Sequence, residues 1–269
     1  MPEGHTLHRI ARRHNALLGG RKVEVWSPQG RFSAEAAMLD GRRLDEVGAY
    51  GKHLFYRWDG APTLYVHLGL VGRFTTWSRS EAPPATSGTR LAMRAADATT
   101  YLTGPMACRL VSGEEENEII GTLGPDPIRS RRGRAEFARR LGPRRVPVAA
   151  ALLDQRIIAG IGNVYRAELL FLLGIHPDTP AAALTPEQVD ALWDLSVDQL
   201  RLGVEHGRIV TVRPAEMGAR GRVDLDDDER LYVYHRDGLP CRRCATPIRM
   251  KEVAGRRTWW CPVCQPGGS

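Results

Sequence analysis

Four of the five cysteines in this sequence form two closely spaced pairs near its carboxyl end. The pairs are "CRRC" at 241–244 and "CPVC" at 261–264, with sixteen residues between them. Two such pairs supply four thiolates, the ligand set that holds a structural Zn²⁺ tetrahedrally, whereas a redox CxxC needs only one pair. We therefore predict one structural zinc ion bound by Cys241, Cys244, Cys261 and Cys264. Cys108 stands apart, and we expect it to be a buried free thiol.

The segment between the two pairs, "TPIRMKEVAGRRTWW", is rich in β-formers and fits a strand–turn–strand hairpin with Gly255 and Arg256 at its turn. Residues 241–269 carry six basic side chains and one acidic side chain. Arginines at the tip of a zinc hairpin are suited to binding phosphate. The alternative is a solvated basic surface without a ligand.

The amino-terminal stretch "MPEGHT" carries a second candidate for chemistry. If Met1 is removed, the secondary amine of Pro2 becomes the terminus, and an α-amino group titrates near pH 8, well below lysine. The positive end of the helix that we predict over 5–18 should lower the pKa of this amine further. A partly neutral amine is a nucleophile that can form an iminium, and Glu3 beside it can transfer protons. Taken alone, the stretch fits an ordinary helix start equally well.

Composition and charge narrow the class of protein. The 269 residues are 42% hydrophobic and 26% charged, with a net charge of +7 and a pI near 9.5, which favours a polyanionic partner. A basic protein from an arginine-rich proteome would have the same totals. The sequence contains no run of about 18 apolar residues and no signal-peptide pattern, so we expect a cytoplasmic, nucleoid-associated protein.

The type of secondary structure that the sequence predicts changes twice along the chain. Short β-rich runs separated by Gly, Pro and Asp fill 21–112 and predict a β-sandwich or barrel. The segment "LGPDPI" at 123–128 is interpreted as a linker because of its two prolines. Residues 147–202 have helical texture, with Thr185 as the cap of the last helix. Residues 207–230 lack periodicity, and we expect a mobile loop there.

A helix–turn–helix pattern lies inside the helical region, in "DQRIIAGIGNVYRAELLF". One helix is predicted to end near Ala159–Gly160 and another to begin near Asn163, which would cap it. Gly160 and Gly162 permit tight turns between them. The free N–H groups at the start of the second helix would attract a phosphate, although the spacing alone is that of an ordinary helical hairpin.

Taken together, these motifs resemble the formamidopyrimidine-DNA glycosylase/endonuclease VIII family of bifunctional DNA repair enzymes over essentially the whole chain. The resemblance rests on "PEG" behind Met1, "GKHLFYRW" at 51–58, "HLGLVGRF" at 67–74, "LGPDPI" at 123–128, "LLDQRIIAGIGNVYRAELLFLLGIHP" at 152–177, and "PCRRCATPIRMKEVAGRRTWWCPVCQ" at 240–265. The last two are similar to that family's helix–two-turns–helix and zinc finger.

The resemblance implies an α+β multidomain fold. It predicts a catalytic β-sandwich domain with an amino-terminal helix over 1–125, a helix–two-turns–helix domain over 126–230 and a zinc β-hairpin finger over 231–269. It also predicts that damaged double-stranded DNA binds in the cleft between the domains, with the protein as a monomer.

Catalytic roles follow from the same resemblance. Pro2 is expected to attack C1′ of the damaged nucleotide and displace the base, and Glu3 is expected to act as acid and base. Lys52 is expected to bind a phosphate near the lesion and to assist the chemistry; without the resemblance it would be an exposed lysine at a strand end. The implied enzyme is a DNA glycosylase with apurinic/apyrimidinic (AP) lyase activity.

DNA-binding roles also follow from it. Asn163 and Arg256 match residues that hold phosphates beside the everted nucleotide, with the adjacent Arg257 ranked second. Leu70 matches an apolar side chain that fills the space left by the flipped base. The alternative for Leu70 is a core leucine.

The sequence departs from the purine-specific branch of the family at "GPMACRLV", 104–111, where that branch has a Pro-Arg-Arg-Phe stretch, so the other void-filling residues stay open, with Arg109 as one candidate. Gly4 and the unrelated 207–230 segment also favour the endonuclease VIII-like branch. We therefore expect oxidised pyrimidines to be preferred, with activity on single-stranded or bubble DNA as well. The alternatives are an 8-oxoguanine/formamidopyrimidine-preferring enzyme of the same family, a non-catalytic zinc-ribbon DNA-binding protein and a zinc module that binds only proteins.

Overall fold

The computed structural model describes residues 2–78, 81–218 and 221–267. The chain divides after Thr122 into an amino-terminal unit and a carboxy-terminal unit, and each unit has its own hydrophobic core. The carboxy-terminal unit contains both the helices and the cysteine-rich hairpin.

The amino-terminal unit is a β-sandwich of two four-stranded antiparallel sheets, as the sequence predicted. Its strands, in chain order, are β1 (Glu24–Trp26), β2 (Leu44–Tyr50), β3 (His53–Trp58), β4 (Ala61–His67), β5 (Arg73–Ser78), β6 (Thr89–Arg94), β7 (Ala98–Thr103) and β8 (Ala107–Val111). One sheet has the order β1-β6-β7-β5 and the other the order β2-β3-β4-β8. Alternate side chains of the two sheets meet in one core, as the two-residue period of a strand requires.

Three α-helices in the described part of this unit complete it, and the sequence predicted only the first of them. They are α1 (Gly4–Leu18), α2 (Ser33–Leu39) and α3 (Gly113–Gly121). Helix α1 ends at Gly19, as predicted, and buries an apolar stripe that includes Leu7, Ala11 and Leu18. Helix α3 begins with a capping box between Ser112 and Glu115.

Two polar side chains fix α1 on the sandwich. The Asn15 amide accepts a hydrogen bond from the Val47 N–H at 2.8 Å and donates one to the Val47 carbonyl at 2.6 Å, so it pairs with β2 as a neighbouring strand would. The buried His14 ring is hydrogen-bonded through Nδ1 to the Tyr56 hydroxyl at 2.7 Å and through Nε2 to the Thr100 hydroxyl at 3.4 Å. Tyr56 and Thr100 belong to different sheets, so His14 ties the helix to both.

Over its described residues, the carboxy-terminal unit contains four α-helices and a two-stranded hairpin. The helices are α4 (Arg134–Leu141), α5 (Val148–Ala151), α6 (Asn163–Leu172) and α7 (Pro186–His206); the strands are β9 (Arg249–Val253) and β10 (Arg256–Trp260). Helix α7 has the predicted cap, with the Thr185 hydroxyl accepting from the Gln188 N–H. No helix among the described residues has the length and apolarity needed to cross a membrane.

The path of the chain before α6 differs from the prediction. Helix α5 ends at Ala151 instead of continuing to Ala159, and turns lead from it to α6. The segment 123–128 is irregular but buried, and Gly124 packs so tightly against Ile157 that an added Cβ would lie 2.4 Å from its backbone. The segment is therefore irregular, as its prolines predicted, and it packs into the helical core.

The segment 207–230, expected to be mobile, is folded over its described part. It contains two short 3₁₀ turns, Pro214–Met217 and Arg222–Asp224, and its apolar side chains Val212 and Leu225 are buried. The Arg208 guanidinium donates to the carbonyls of Arg222, Val223 and Leu225 across the loop. Hydrogen bonds from this side chain, and not a helix or strand ladder, therefore hold the loop together.

The buried His14 ring predicts a specific acid sensitivity. Burial, and to a smaller extent the charge of Arg13, lowers its pKa from 6.5 to about 3. The neutral ring therefore stabilises the fold fully above pH 6.5, and this contribution is lost progressively as the pH falls from 6.5 toward 3. Replacement of His14 by glutamine should make the drop in Tm between pH 7.5 and pH 5 smaller than in the wild type, as measured by thermal unfolding.

The control for this measurement is His235→Gln, which removes an exposed imidazole from the other unit. A His14→Gln protein with the wild-type drop in Tm would contradict the assignment of a neutral, buried ring.

Candidate active site

The register of one sheet gathers several predicted residues at a single end. Strand β2 ends and β3 begins at Tyr50 and His53, which are paired, and His53 is paired in turn with His67 at the end of β4. His67 is paired with Ala107, the first residue of β8. The turn with Lys52, the loop with Leu70 and the turn before Ala107 therefore lie side by side at this end of the sheet, called here the Lys52 end.

The amino terminus reaches the same end. Helix α1 runs antiparallel to β2, because Gly20 is hydrogen-bonded to Leu44 at the start of the strand and Asn15 to Val47 further along it. From the Asn15–Val47 contact, Pro2 lies roughly 20 Å along the helix. Lys52 lies roughly 16 Å along the strand in the same direction. The structure thus brings Pro2, Glu3 and Lys52 to one end of the sandwich.

Glu3 is completely buried, with a relative exposure of 0%. It precedes α1 as the N-cap residue, yet its side chain makes no capping hydrogen bond, and its backbone carbonyl accepts from the Thr6 N–H at 2.8 Å. The first turn of α1 contains no acidic residue. The Pro2–Glu3 pair thus stands at a helix start, but the Glu3 carboxylate does not cap that helix.

Lys52 lies in the two-residue turn between β2 and β3, after Gly51, whose φ of 54° suits glycine. Its charge acts on two neighbouring imidazoles. Burial, then the proximity of His67 and Lys52, lowers the pKa of His53 to about 4, and burial followed by the Lys52 charge lowers the pKa of His67. Both rings are therefore neutral at pH 7, and the positive charge of this turn resides on Lys52.

Leu70 is exposed, as are two further apolar side chains beside it. The exposed fractions are 59% for Leu70, 75% for Val71 and 69% for Met106, so Leu70 is not a core leucine. Gly69, with a φ of 67°, allows Met106 to approach so closely that an added Cβ would lie 2.9 Å from the Met106 Cβ. The three side chains form an apolar tip at the Lys52 end.

The loop that carries this tip is held by His67, whose Nδ1 accepts from the Gly69 N–H at 3.1 Å. Arg109, a candidate at the sequence level, is engaged elsewhere. It forms an ion pair with Glu115 at 3.0 Å and lies over the Tyr65 ring. Val71 and Met106 were missed by the sequence analysis, and only their apolar character in short loops that contain glycine could have indicated them.

Asn163 does not cap α6, contrary to expectation. Gly162 occupies the N-cap position, and Asn163 is the first helical residue. The Asn163 side chain instead donates to the backbone carbonyl of Arg257 at 3.0 Å and accepts from the buried guanidinium of Arg166. Asn163 is therefore joined to the β9–β10 hairpin, ninety-four residues further along the chain.

The hairpin turn is formed by Ala254 and Gly255, with φ values of 52° and 69°, and Arg256 begins β10 instead of lying in the turn. Two positive φ values are typical of the tight hairpin turn that matches strand twist. Arg256 and Arg257 are both exposed, and as neighbours in a strand they point to opposite faces. A hydrogen bond from Trp259 and, more weakly, the charge of Arg257 lower the pKa of Asp237, so Arg257 lies on the side of that carboxylate.

The four predicted cysteines converge at one point. Their Sγ atoms all lie within 4.8 Å of one another, and the Cys241–Cys264 and Cys244–Cys261 pairs are 3.8 and 3.4 Å apart. Tetrahedral Zn²⁺ with thiolates at about 2.3 Å requires sulfur atoms about 3.8 Å apart, so the four residues fit the ion. Hydrogen bonds from Thr246 lower the pKa of Cys244 to about 6, whereas burial raises the pKa of Cys261 and Cys264, so zinc binding must displace protons from these thiols.

The zinc module is anchored to the helices by buried polar side chains that the sequence analysis did not single out. The Glu168 carboxylate on α6 accepts from the N–H groups of Tyr232, Val233 and Tyr234, each at 2.8 Å. The Gln265 amide donates to the Ile175 carbonyl at 2.8 Å and accepts from the Cys261 N–H. The module is therefore continuous with the helical core.

Replacement of Cys244 by serine should abolish stoichiometric zinc binding and loosen the hairpin, because metal binding and folding are coupled in small modules. Elemental analysis should fall from one zinc per chain to far below one. Tryptophan fluorescence should report exposure of Trp259, which is buried in the folded module. The control is Cys108→Ser, which removes the remaining cysteine and should retain one zinc per chain; a full zinc complement in Cys244→Ser would contradict the four-thiolate site.

Comparisons with known proteins agree with this geometry. Three family models match: the formamidopyrimidine-DNA glycosylase N-terminal domain at residues 1–104, the formamidopyrimidine-DNA glycosylase H2TH domain at 123–213, and the zinc finger found in FPG and IleRS at 238–267. The solved complex of wild-type Lactococcus lactis Fpg (MutM) with DNA containing N7-benzyl-Fapy-dG has a TM-score of 0.81 at 25% identity, covering 99% of this chain and 100% of the other. A complex of L. lactis Fpg with abasic-site DNA has a TM-score of 0.80 at 24% identity, covering 98% and 100%.

Similar sequences come from several bacteria. "Endonuclease 8 1" of Mycobacterium tuberculosis is 43% identical over 98% of this chain and 100% of the relative. "Formamidopyrimidine-DNA glycosylase" of Latilactobacillus sakei is 33% identical over 98% of each chain. The chain therefore belongs to the formamidopyrimidine-DNA glycosylase/endonuclease VIII family, the DNA glycosylases with AP lyase activity that act in base excision repair.

Proposed function

We propose that this protein excises oxidised pyrimidines from DNA through a Schiff base at Pro2 and then cleaves the abasic site by β,δ-elimination. The observation that carries the proposal is the convergence of the amino terminus, the buried Glu3 and the Lys52 charge at one end of the β-sandwich. A nucleophile, a proton carrier and a phosphate ligand are the parts that this reaction needs.

The reaction begins with attack of the Pro2 nitrogen on C1′ of the everted nucleotide. The bond between C1′ and the base breaks, and the base leaves with the bonding electrons and takes up the proton that the Pro2 nitrogen loses. Glu3 then protonates the ring oxygen as its bond to C1′ breaks, which leaves an iminium between Pro2 and C1′. Burial of Glu3 shields this proton transfer from water.

The iminium acidifies the proton on C2′, and the Glu3 carboxylate removes it. The bond between C3′ and its phosphate oxygen breaks in the β-elimination, and loss of a C4′ proton followed by breakage of the C5′–oxygen bond completes the δ-elimination. Water hydrolyses the remaining iminium, which releases the sugar fragment and restores the Pro2 amine. Both eliminations use the iminium on Pro2 as their electron sink.

The remaining predicted residues bind the DNA. Lys52 contacts a phosphate near the lesion, while Arg256 and Asn163 contact phosphates from the carboxy-terminal unit. Leu70 enters the duplex in place of the flipped base, and the exposure of Val71 and Met106 beside it supports a wedge broader than one side chain. Damaged duplex DNA is the main substrate, and single-stranded or bubble DNA is accepted because this wedge makes few demands on the opposite base. The protein acts as a monomer on nucleoid DNA in the cytoplasm.

The preference for pyrimidines rests on two observations. The mycobacterial relatives at 43% identity carry the name endonuclease 8, whereas the relatives named formamidopyrimidine-DNA glycosylase reach 33%. Gly4 follows the Pro2–Glu3 pair, which fits the same branch. A saturated or oxidised pyrimidine has lost aromatic stacking, so its eversion costs less and demands less recognition of the base itself.

Borohydride reduction of a reaction with abasic DNA should trap a covalent protein–DNA adduct whose peptide map assigns the linkage to residue 2. A protein that keeps an uncleaved extension before Pro2 lacks the free secondary amine and should give at least tenfold less adduct. The matched control is Glu3→Gln, which keeps the amine and should still be trapped on preformed abasic sites while losing base excision. Undiminished trapping with the extended terminus would refute the Pro2 mechanism.

Single-turnover rates should distinguish the two substrate classes. On matched duplexes, excision of 5-hydroxyuracil should be at least tenfold faster than excision of 8-oxoguanine opposite cytosine, because eversion of the pyrimidine costs less stacking energy. A faster rate on 8-oxoguanine would overturn the branch assignment and favour the formamidopyrimidine-preferring alternative, while leaving the Pro2 chemistry intact.

A further inference from the structure

Arg166 on α6 is among the largest side chains that are completely buried, with a relative exposure of 0%. A buried guanidinium loses its hydration, which costs several kcal/mol unless protein groups replace the water. Neither the sequence analysis nor the reaction described above uses this residue.

The guanidinium of Arg166 is directed at the closed end of the β9–β10 hairpin. Its Nη2 donates to the Arg257 carbonyl at 2.8 Å and to the Arg256 carbonyl at 3.4 Å, and its Nη1 donates to the Val253 carbonyl at 3.5 Å. These acceptors lie on both sides of the Ala254–Gly255 turn. One side chain of α6 therefore donates hydrogen bonds to both strands of the hairpin, next to its turn.

The same guanidinium also binds the start of α6 and a carbonyl of α5. Its Nη2 donates to the side-chain oxygen of Asn163, whose amide nitrogen donates to the Arg257 carbonyl at 3.0 Å, and its Nη1 donates to the Ala149 carbonyl at 3.3 Å. Asn163, Arg166 and the Arg257 carbonyl thus form a closed hydrogen-bonded ring. The ring sets the position of β10 relative to the amino-terminal end of α6.

The hairpin needs such a support. Ala254 adopts a left-handed φ of 52°, which costs a non-glycine residue about 1 kcal/mol. The carbonyls at the edges of an isolated two-stranded sheet also need donors from outside the sheet. The planar fork of arginine offers several donors in fixed directions, which a lysine or glutamine cannot match.

We propose that Arg166 is a positioning residue for DNA binding, which fixes the backbone of Arg256 so that its side chain and Asn163 hold the phosphates together. This rests on the proposed function of Arg256 and Asn163 as phosphate ligands. Arg166 acts through the backbone of Arg256 and is too deeply buried to bind DNA itself. Its loss leaves the Arg256 side chain intact but spread over many orientations.

A double-mutant cycle tests this coupling. The probe is a duplex containing a tetrahydrofuran abasic analogue, and Kd is measured over a range of salt concentrations for Arg166→Gln, Arg256→Ala and the double variant. Arg256→Ala should weaken binding about tenfold and reduce the salt slope by about 0.9, the value for one phosphate. Arg166→Gln should weaken binding about fivefold in the wild-type background and by less than a factor of two in the Arg256→Ala background.

Three further variants make the result specific. Glu168→Gln changes another fully buried polar residue on α6. In this background, Arg256→Ala should raise the Kd by the same factor as it does in the wild type. The fold-changes in Kd caused by Arg257→Ala and Arg166→Gln should multiply in the double variant, which means that the two residues are not coupled. If Arg166→Gln does not retain one zinc per chain, Arg166→Lys keeps the charge with fewer donors and should show partial coupling to Arg256.

The possible outcomes distinguish a failure of the positioning role of Arg166 from a failure of the Pro2 chemistry. Multiplicative effects of the Arg166 and Arg256 substitutions, or coupling to Arg257 in place of Arg256, would overturn the positioning role. An Arg256→Ala protein with wild-type affinity would overturn it as well, since nothing would remain for Arg166 to position. Borohydride trapping at Pro2 would persist in each of these cases, because the amine lies in the other unit.

Discussion

The docking of α1 on β2 is the constraint on which the proposed chemistry depends. A chain terminus is ordinarily poorly ordered, and a nucleophile placed there needs a rigid support. The paired hydrogen bonds between the Asn15 amide and Val47, together with the His14 bridge to both sheets, fix the direction and rotation of the helix. Because the helix and strand are antiparallel, this docking delivers Pro2 and Lys52 to the same end of the sandwich.

In the carboxy-terminal unit, buried polar side chains fix the zinc hairpin on α6. A zinc hairpin of two five-residue strands cannot bury a core of its own, so it shares one with α6 and is fixed there by long-range polar contacts. Glu168 holds one side of the module and Arg166 holds the hairpin turn. Both side chains belong to a helix whose other residues, apart from Asn163, are apolar, and both make contacts with residues more than sixty positions away.

Local sequence patterns predicted the features that depend on local physics. The zinc cysteines, the extent of α1 and the Thr185 cap were all predicted because neighbouring residues determine them. The β-sandwich was predicted from its short β-rich runs, although α2 and α3 were missed.

The errors share one cause, which is tertiary contact. Asn163 has the side chain of a helix cap, but a partner in the distant hairpin draws it into another role. The prolines of 123–128 prevent regular structure yet do not prevent burial, and the arginines of 207–230 order a loop without periodicity. No spacing within these segments encodes partners that lie elsewhere in the chain, so sequence reasoning could not have identified Arg166 either.

The most direct test of the Pro2 mechanism is the crystal structure of the borohydride-reduced complex with abasic DNA. We expect a covalent bond from the Pro2 nitrogen to C1′ of the ring-opened sugar, with the Glu3 carboxylate beside it, Lys52 on an adjacent phosphate and Leu70 inside the duplex. A bond from the Lys52 nitrogen, or a duplex bound away from the Lys52 end, would contradict this mechanism.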